Sequence, residues 1–324
     1  MRAMFTPSRV QRLIQVLYFG FILFVGWRFS RFVLWATGQI EVMTPRPASV
    51  EGFLPIAALM GLRRLLESQV WDRVHPAGLT IFLAALGMAL FFRKGFCGFI
   101  CPVGLLSGLL DNLGRRLHLS LVPTGIGGRI LAAPKYLLLA FFLYTVFIGM
   151  DRAAVESFVA APYNYVADAK MLHFFQSPSG LTLSILAGLA MLGVFFRGAW
   201  CRYLCPYGAL LGLLSWFGPT RVTRDDTMCI GCQKCSRACP GGIRVHENRV
   251  VLSPDCLGCL RCQEACPVPG CITLRAAGKV VPFWVTGLGS VALLVSAWLA
   301  ARQFGLWDQD IPLGMVRRFY QMFL

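Results

Sequence analysis

Between residues 13 and 36 the only charged side chains are Arg28 and Arg31. Such a run constrains folding more than anything else in the sequence. In lipid every backbone N–H and C=O has to be satisfied within the segment, so the run is expected to be a helix. About 20 residues suffice to cross a hydrocarbon core about 30 Å thick. Five stretches reach or approach that length: residues 13–36, 78–92 with its flanks, 131–150, 181–196 with its flanks, and 280–301. The first is too long for a signal-peptide core and carries arginines where a cleavage site belongs, so it reads as an anchor. Arg28 and Arg31 then snorkel to the interface.

Composition agrees with lipid as the solvent. Hydrophobic residues make up 56% of the 324 and charged residues 14%, with a mean hydropathy of +0.63. The net charge of +16 is not a nucleic-acid footprint, because the basic residues flank apolar runs rather than forming a stripe. Flanking Lys and Arg set orientation instead. Segments 1–12, 93–135 and 197–279 hold 20 of the 31 basic residues. This predicts a cytoplasmic N-terminus, an odd number of spans and an outside C-terminus, with the cysteine-rich segment 219–279 on the cytoplasmic side. Segments 52–69 and 157–175 are less apolar and read as interfacial or re-entrant pieces.

Part of the chain repeats. Val50-Glu51-Gly52-Phe53 returns as Val155-Glu156-Ser157-Phe158, and Pro76-Ala77-Gly78-Leu79-Thr80 as Pro178-Ser179-Gly180-Leu181-Thr182. Cys97-x-x-x-Cys101-Pro102-x-Gly104 returns as Cys201-x-x-x-Cys205-Pro206-x-Gly208. Each copy predicts an out-and-back helical hairpin of the same orientation. Parallel repeats are related by an axis along the membrane normal, which would bring all four motif cysteines to one face.

The 13 cysteines are an odd number in tight groups, which argues for metal rather than a disulfide framework. Cys229-x2-Cys232-x2-Cys235-x3-Cys239-Pro240 is followed by Cys256-x2-Cys259-x2-Cys262-x3-Cys266-Pro267. Thiolates at this spacing wrap the corners of a 4Fe–4S cubane; zinc is the competing reading. Cys271 is left over and reads as a buried spacer. Cys97 and Cys101, like Cys201 and Cys205, would share a helical face at i,i+4. Cys101 and Cys205 precede prolines and would cap helices over 102–117 and 206–217. A helix N-terminus stabilises a thiolate. A further Fe–S centre, a dithiol or copper-handling site and a structural role remain open for these four, since soft thiolates suit Cu(I) as well as iron.

Weaker candidates lie elsewhere. His75 and His173 precede paired spans and could touch a quinone, a haem or a partner, or be ordinary interfacial histidines. Glu51 and Glu156 could accept quinol protons or cap helices. Lys234, Arg237, Arg244, Arg249 and Arg261 decorate the cysteine-rich segment and suit an acidic redox partner or lipid headgroups. No glycine-rich loop supports nicotinamide or flavin binding, and no catalytic triad is present.

Residues 225–275 resemble the bacterial two-cluster ferredoxins. That resemblance implies one cluster on Cys229, Cys232, Cys235 and Cys266 and another on Cys239, Cys256, Cys259 and Cys262. With the paired C-x-x-x-C-P motifs, residues 10–275 resemble the NapH/MauN-type membrane polyferredoxins and the membrane module of NosR-type proteins. The resemblance implies electron transfer between the quinol/quinone pool and other redox proteins, within a multi-subunit complex of the bacterial cytoplasmic (inner) membrane, in respiration or metalloenzyme maturation. The competing function is a metalloenzyme-assembly or copper-handling factor working through the membrane-face cysteines. The large flavin-bearing region of NosR-type proteins is absent. The fifth span and the aromatic tail 302–324 exceed the usual NapH-type plan.

The expected architecture is an α-helical integral membrane protein of about five transmembrane helices with an inserted α+β ferredoxin domain of the 2(4Fe–4S) type. Its expected segments are a membrane domain over 1–218, the cytoplasmic ferredoxin domain over 219–279, and a fifth helix with an outer tail over 280–324.

Overall fold

The computed structural model describes residues 6–123 and 125–323, most of them helical. In chain order the helices are α1 (Pro7–Ala36), α2 (Pro55–Ser68), α3 (Pro76–Phe92), α4 (Pro102–Arg116), α5 (Gly125–Tyr144), α6 (Arg152–Ala160) and α7 (Pro162–Tyr165). They continue with α8 (Ala167–Gln176), α9 (Gly180–Phe195), α10 (Pro206–Leu214), α11 (Lys234–Ala238), α12 (Arg261–Glu264), α13 (Trp284–Gln303) and α14 (Leu313–Phe323). The strands are β1 (Thr220–Arg224), β2 (Val250–Val251), β3 (Ile272–Ala276) and β4 (Lys279–Val281).

Among the described residues, three helices are long and apolar enough to cross a bilayer: α1, α5 prolonged to Gly149, and α13. The pair α8 and α9 would make a fourth, but it bends by 80° at its break. Ser177, Pro178 and Ser179 occupy that break. The Ser179 hydroxyl accepts the Thr182 N–H at 3.2 Å, so α9 is capped afresh rather than continuing α8. Helix α3 is apolar but has 17 residues, about 25 Å at 1.5 Å each. Pro76 begins it, and Arg93 at φ +61° ends it. The chain is a multi-pass membrane protein with three candidate spans, or four with the bent pair. Leu137 (69%), Ile148 (71%) and Leu181 (71%) are exposed on such helices, as lipid-facing residues are.

Two compact units make up the chain. One comprises Met1–Phe19, Ala85–Leu139 and Ala187–Leu293. It contains every cysteine and an antiparallel sheet of order β2-β1-β3-β4. Val222 of β1 sits opposite Leu274 on one side and Val251 on the other. Ala277 and Gly278, both at positive φ, form the two-residue turn that joins β3 to β4 with the twist a hairpin needs. Val222, Val245, Val251, Leu260, Ile272 and Leu274 pack with cysteines into the module's core.

The other unit comprises Gly20–Ala84, Ala140–Leu186 and Leu294–Leu324. Phe29 and Phe32 of α1 pack on Tyr320 and Val316 of α14 and on Val166 and Ala169 at the start of α8. Segment 52–69 supplies the helix α2, and segment 157–175 holds the end of α6, all of α7 and nearly all of α8. Arg63 of α2 turns its guanidinium onto the carbonyls of Val146 and Met150, free acceptors at the end of the π-helical turn Thr145–Gly149.

Candidate metal centres

Cys229, Cys232, Cys235 and Cys266 line one cavity, with Arg224 and His246 in its wall. Cys239, Cys256, Cys259 and Cys262 line a second. The last cysteine of each run therefore lies with the first three of the other. Both loops are built alike. Gly231 (φ +71°) and Gly258 (φ +65°) take the left-handed region between the first two cysteines, and Gln233 (φ +59°) and Leu260 (φ +57°) take it just before α11 and α12. Residues in the left-handed region let a loop curl its N–H groups inward, as an anionic cluster requires. The Gly231 N–H holds the Cys229 thiol below its ordinary range.

The second cavity is drier. Burial pushes Cys239 up to about 12, with Cys259 and Cys256 adding to it, and pushes Cys262 well above the ordinary range. Thiols so placed ionise only against the positive charge of a metal. Among the described residues no three His, Cys, Asp or Glu side chains are grouped as the ligands of one metal ion. Four soft donors around one cavity suit a cluster that takes one thiolate per iron. Cys271 is a further buried sulphur in the wall of the first cavity. Burial, with Cys266 and Cys229 nearby, pushes it up to about 11, and its thiol meets the Asp225 carbonyl at 3.6 Å.

The membrane-face motifs form two matching corners. Cys97 lies in a π-helical turn, Phe96–Ile100, and Cys201 in another, Trp200–Leu204. The N–H of Cys101 reaches the Phe96 carbonyl and that of Cys205 the Trp200 carbonyl, each at 2.9 Å. Cys101 and Cys205 are extended, and each is the N-cap of the helix that its proline begins, α4 and α10. The Gly208 N–H donates to the Cys205 sulphur at 3.3 Å. The paired cysteines thus share a π turn and a cap rather than one helical face. The motif's glycine has a steric reason: a Cβ on Gly104 would run into the Cys97 carbonyl, and one on Gly208 would stand 3.3 Å from that of Cys201.

All four sulphurs are neighbours. The Cys97 thiol is pushed up by burial and by Cys101, Cys201 and Cys205, against the pull of Lys94. Cys201 is pushed up to about 12 by burial, with Cys101 and Cys205 adding and Lys94 again opposing. Cys97 and Cys201 line a third cavity with Lys94, Asp255, Leu257 and Gly241. Soft donors beside a buried lysine fit an anionic metal centre.

His75 and Glu51 sit in a buried cluster of the other unit. Arg46 bridges Glu51 at 2.8 Å and Asp168 at 2.6 Å, and the Tyr320 hydroxyl donates to Asp168 at 2.9 Å. Glu51 also accepts the Gly78 N–H at 3.0 Å, capping the first turn of α3. The repeat-related Glu156 is instead half-exposed against Arg64, and His173 is exposed in the last turn of α8. Lys94, Lys135 and Asp255 escaped the sequence reading. Lys135 lies 2.7 Å and Lys94 4.0 Å from the Asp255 carboxylate, with both lysines buried. A signal existed for Lys135, a lone charge inside the apolar run 131–150.

Two families match this arrangement. The one described as a 4Fe-4S binding domain matches residues 74–120 and again residues 178–224. The one described as a 4Fe-4S dicluster domain matches residues 221–267. The fold and cysteine sites are those of a ferredoxin-type, iron–sulphur electron-transport protein of the membrane. Among relatives, YccM of Escherichia coli (strain K12), whose name assigns it to electron transport, is 35% identical over 307 residues, 92% of this chain and 85% of YccM. The regulatory protein NosR of Pseudomonas aeruginosa is 26% identical over 249 residues, 71% of this chain and 30% of NosR. The methylamine utilization ferredoxin-type protein MauN of Paracoccus denitrificans is 28% identical over 173 residues, 52% of this chain and 56% of MauN. The chain belongs to this NapH/MauN/NosR-type family of ferredoxin-like membrane proteins. No solved structure matches it.

Proposed function

We propose that the protein carries electrons between the quinol pool of the bacterial inner membrane and a redox partner protein. One 4Fe–4S cluster is assigned to Cys229, Cys232, Cys235 and Cys266, a second to Cys239, Cys256, Cys259 and Cys262, and a third metal centre to Cys97, Cys101, Cys201 and Cys205. The observation that carries the reading is the sorting of eight ferredoxin cysteines into two cavities of four each, with the membrane-face cysteines gathered beside the second. Pro240 and Leu257 follow Cys239 and Cys256 in the chain and line the third cavity. The second ligand set is therefore the one adjoining the membrane-face group. When bound, such clusters supply one-electron transfer. The chain's own residues hold the sulphurs away from water and set charge beside them, Lys94 at Cys97 and Cys201 and Arg224 at Cys229.

The distribution of basic residues and the double match to one family support a five-span topology for α1, α3, α5, α9 and α13. In it the two hairpins are parallel repeats, the N-terminus and segment 219–279 are cytoplasmic, and segment 302–324 lies outside. Lipid, quinol and electron-transfer proteins are then the partners.

Metal analysis and EPR of the purified protein test the proposal. About eight to twelve irons are expected, with EPR signals that respond to a quinol. Where twelve irons are found, Cys97→Ala should remove about four and leave the ferredoxin signals. Stoichiometric copper that disappears with Cys97→Ala would support the metal-handling function instead, and zinc in the tandem runs would end the electron-carrier reading.

A further inference from the structure

Ser8, Arg9 and Arg12 at the start of α1, Arg115 at the end of α4, and Arg261 and Glu264 of α12 line one cleft of the cysteine-bearing unit. Its positive charge is poorly compensated. The Glu264 carboxylate is engaged by the Ser8 N–H at 2.8 Å and the Ser8 hydroxyl at 2.9 Å. Arg261 donates to the neutral Gln11 side chain at 2.8 Å. Arg115 shares Asp111 with Arg197, at 3.3 and 3.5 Å. Arg9 and Arg12 are exposed and have no ion-pair partner among the described residues. Burial, with Arg197, Arg261 and Arg12 close by, depresses the Arg115 guanidinium despite Asp111. Four guanidiniums around one engaged carboxylate favour a bound anion, and the planar fork of arginine suits phosphate.

Apolar surface leads away from the cleft. Past Arg12, α1 exposes Leu13 (56%), Val16 and Leu17 (63%), where the apolar run begins. Helix α4 exposes Leu106, Leu109 and Leu113 along one face, at i, i+3 and i+7, up to Arg115. A molecule that satisfies all of this brings a phosphate to the arginines and acyl chains to the leucines. A folded acidic protein brings only the charge.

We propose that this cleft is a headgroup site for an anionic phospholipid of the cytoplasmic leaflet. The proposal rests on the membrane topology given above. The lipid would join three parts of the unit at one point: α1, α4 and the ferredoxin loop, which enters the cleft at Arg261, next to Cys262. Ala238 and Ala265, which precede Cys239 and Cys266, complete the wall.

The test uses full-length, cluster-loaded protein in phosphatidylcholine nanodiscs doped with cardiolipin or phosphatidylglycerol, with retained lipid counted by native mass spectrometry. Wild type should retain the anionic lipid about tenfold over phosphatidylcholine. Arg9→Gln with Arg12→Gln should bring that ratio close to one; both side chains are exposed, so folding is spared. Lys234→Gln with Arg249→Gln removes the same charge elsewhere on the module and should leave the ratio unchanged. An equal loss in both double variants, no selectivity in wild type, or equal binding of soluble glycerol phosphate would each overturn the proposal. So would a cleft variant that keeps its lipid but is reduced more slowly by an acidic soluble flavodoxin. Iron content separates this from the functional reading: an iron-replete protein without lipid selectivity sinks only the lipid site, and an iron-free protein that retains anionic lipid sinks only the electron carrier.

Discussion

A Cβ placed on Gly98 would lie 3.0 Å from the carbonyl oxygen of Leu257, so the first membrane-face motif and the loop 256–259 meet backbone to backbone. Gln11 and Gln15 hold this junction from α1, their side-chain amides donating to the Gly98 carbonyl at 2.8 and 3.0 Å. Any larger residue at 98 must push the loop away. Gly98→Val should cost about 1–3 kcal/mol through overpacking. The expected result is a lowered Tm, with a weakened EPR signal from the second cluster and an undisturbed one from the first. An unchanged Tm would mean that the two loops yield freely.

The Lys135–Asp255 pair lies next to Cys256 and makes a separate prediction. Lys135→Met leaves a carboxylate that is only 18% exposed without its near partner, while Lys94 stays 4.0 Å away. Breaking a buried pair costs about 3–5 kcal/mol, and the remaining lysine and partial exposure reduce this to about 1–3 kcal/mol. Lys135→Met with Asp255→Asn should recover only part of the loss, since the buried Lys94 ammonium then loses its carboxylate. Thermal unfolding of the two single variants and the double variant completes the cycle; strict additivity would show that the pair contributes nothing.

The grouping of the cysteines predicts crossed effects. Cys266→Ala should disturb the signals of the cluster assigned to Cys229, Cys232 and Cys235, although the substitution lies in the second run. Cys239→Ala should disturb those of the cluster assigned to Cys256, Cys259 and Cys262. Each variant should lose up to about four irons, or convert one cluster to a three-iron form. Mössbauer and EPR spectra distinguish the two. If each substitution damaged the cluster of its own run, the assignment would be wrong.

The ferredoxin module was the most legible part of the chain because its donors are close in sequence, and the spacing alone exposes them. The long runs that became α1, α5 and α13 were legible for a similar reason, since length and apolarity are local properties. Residues 78–92 and 181–196 are harder. Pro76 and the Ser177–Ser179 break start their helices late, and a count of apolar residues cannot foresee an 80° bend. At the membrane face, prolines after Cys101 and Cys205 announced the caps, but the π turns depend on how closely Gly104 and Gly208 let the preceding carbonyls approach. Arg46, Asp168 and Tyr320 were invisible for another reason. Apart from the Arg46–Glu51 contact, which spans five positions, they pair with one another across more than 100 residues: Arg46 with Asp168 over 122 positions and Tyr320 with Asp168 over 152.

That non-local cluster sets a pH dependence centred on His75. Its Nε2 lies 2.8 Å from the Asn164 carbonyl, which can only accept, so Nε2 carries a proton. Its Nδ1 faces the Glu51 carboxylate at 3.8 Å, where a second proton is favoured. Burial opposes the imidazolium, but Glu51 outweighs it, with Asp168 adding and Arg46 subtracting, and the folded-state pKa is raised. The stabilisation is therefore fully present below the unfolded value of about 6.5 and is lost as pH rises through the higher folded value. Wild-type Tm should fall as pH rises above the unfolded value of about 6.5, by about 2–4 °C for each 1 kcal/mol lost. His75→Gln keeps a donor for the Asn164 carbonyl but cannot titrate, so its Tm should be lower at pH 6 and flatter across the range. A variant that tracks the wild-type slope would place the titrating group elsewhere.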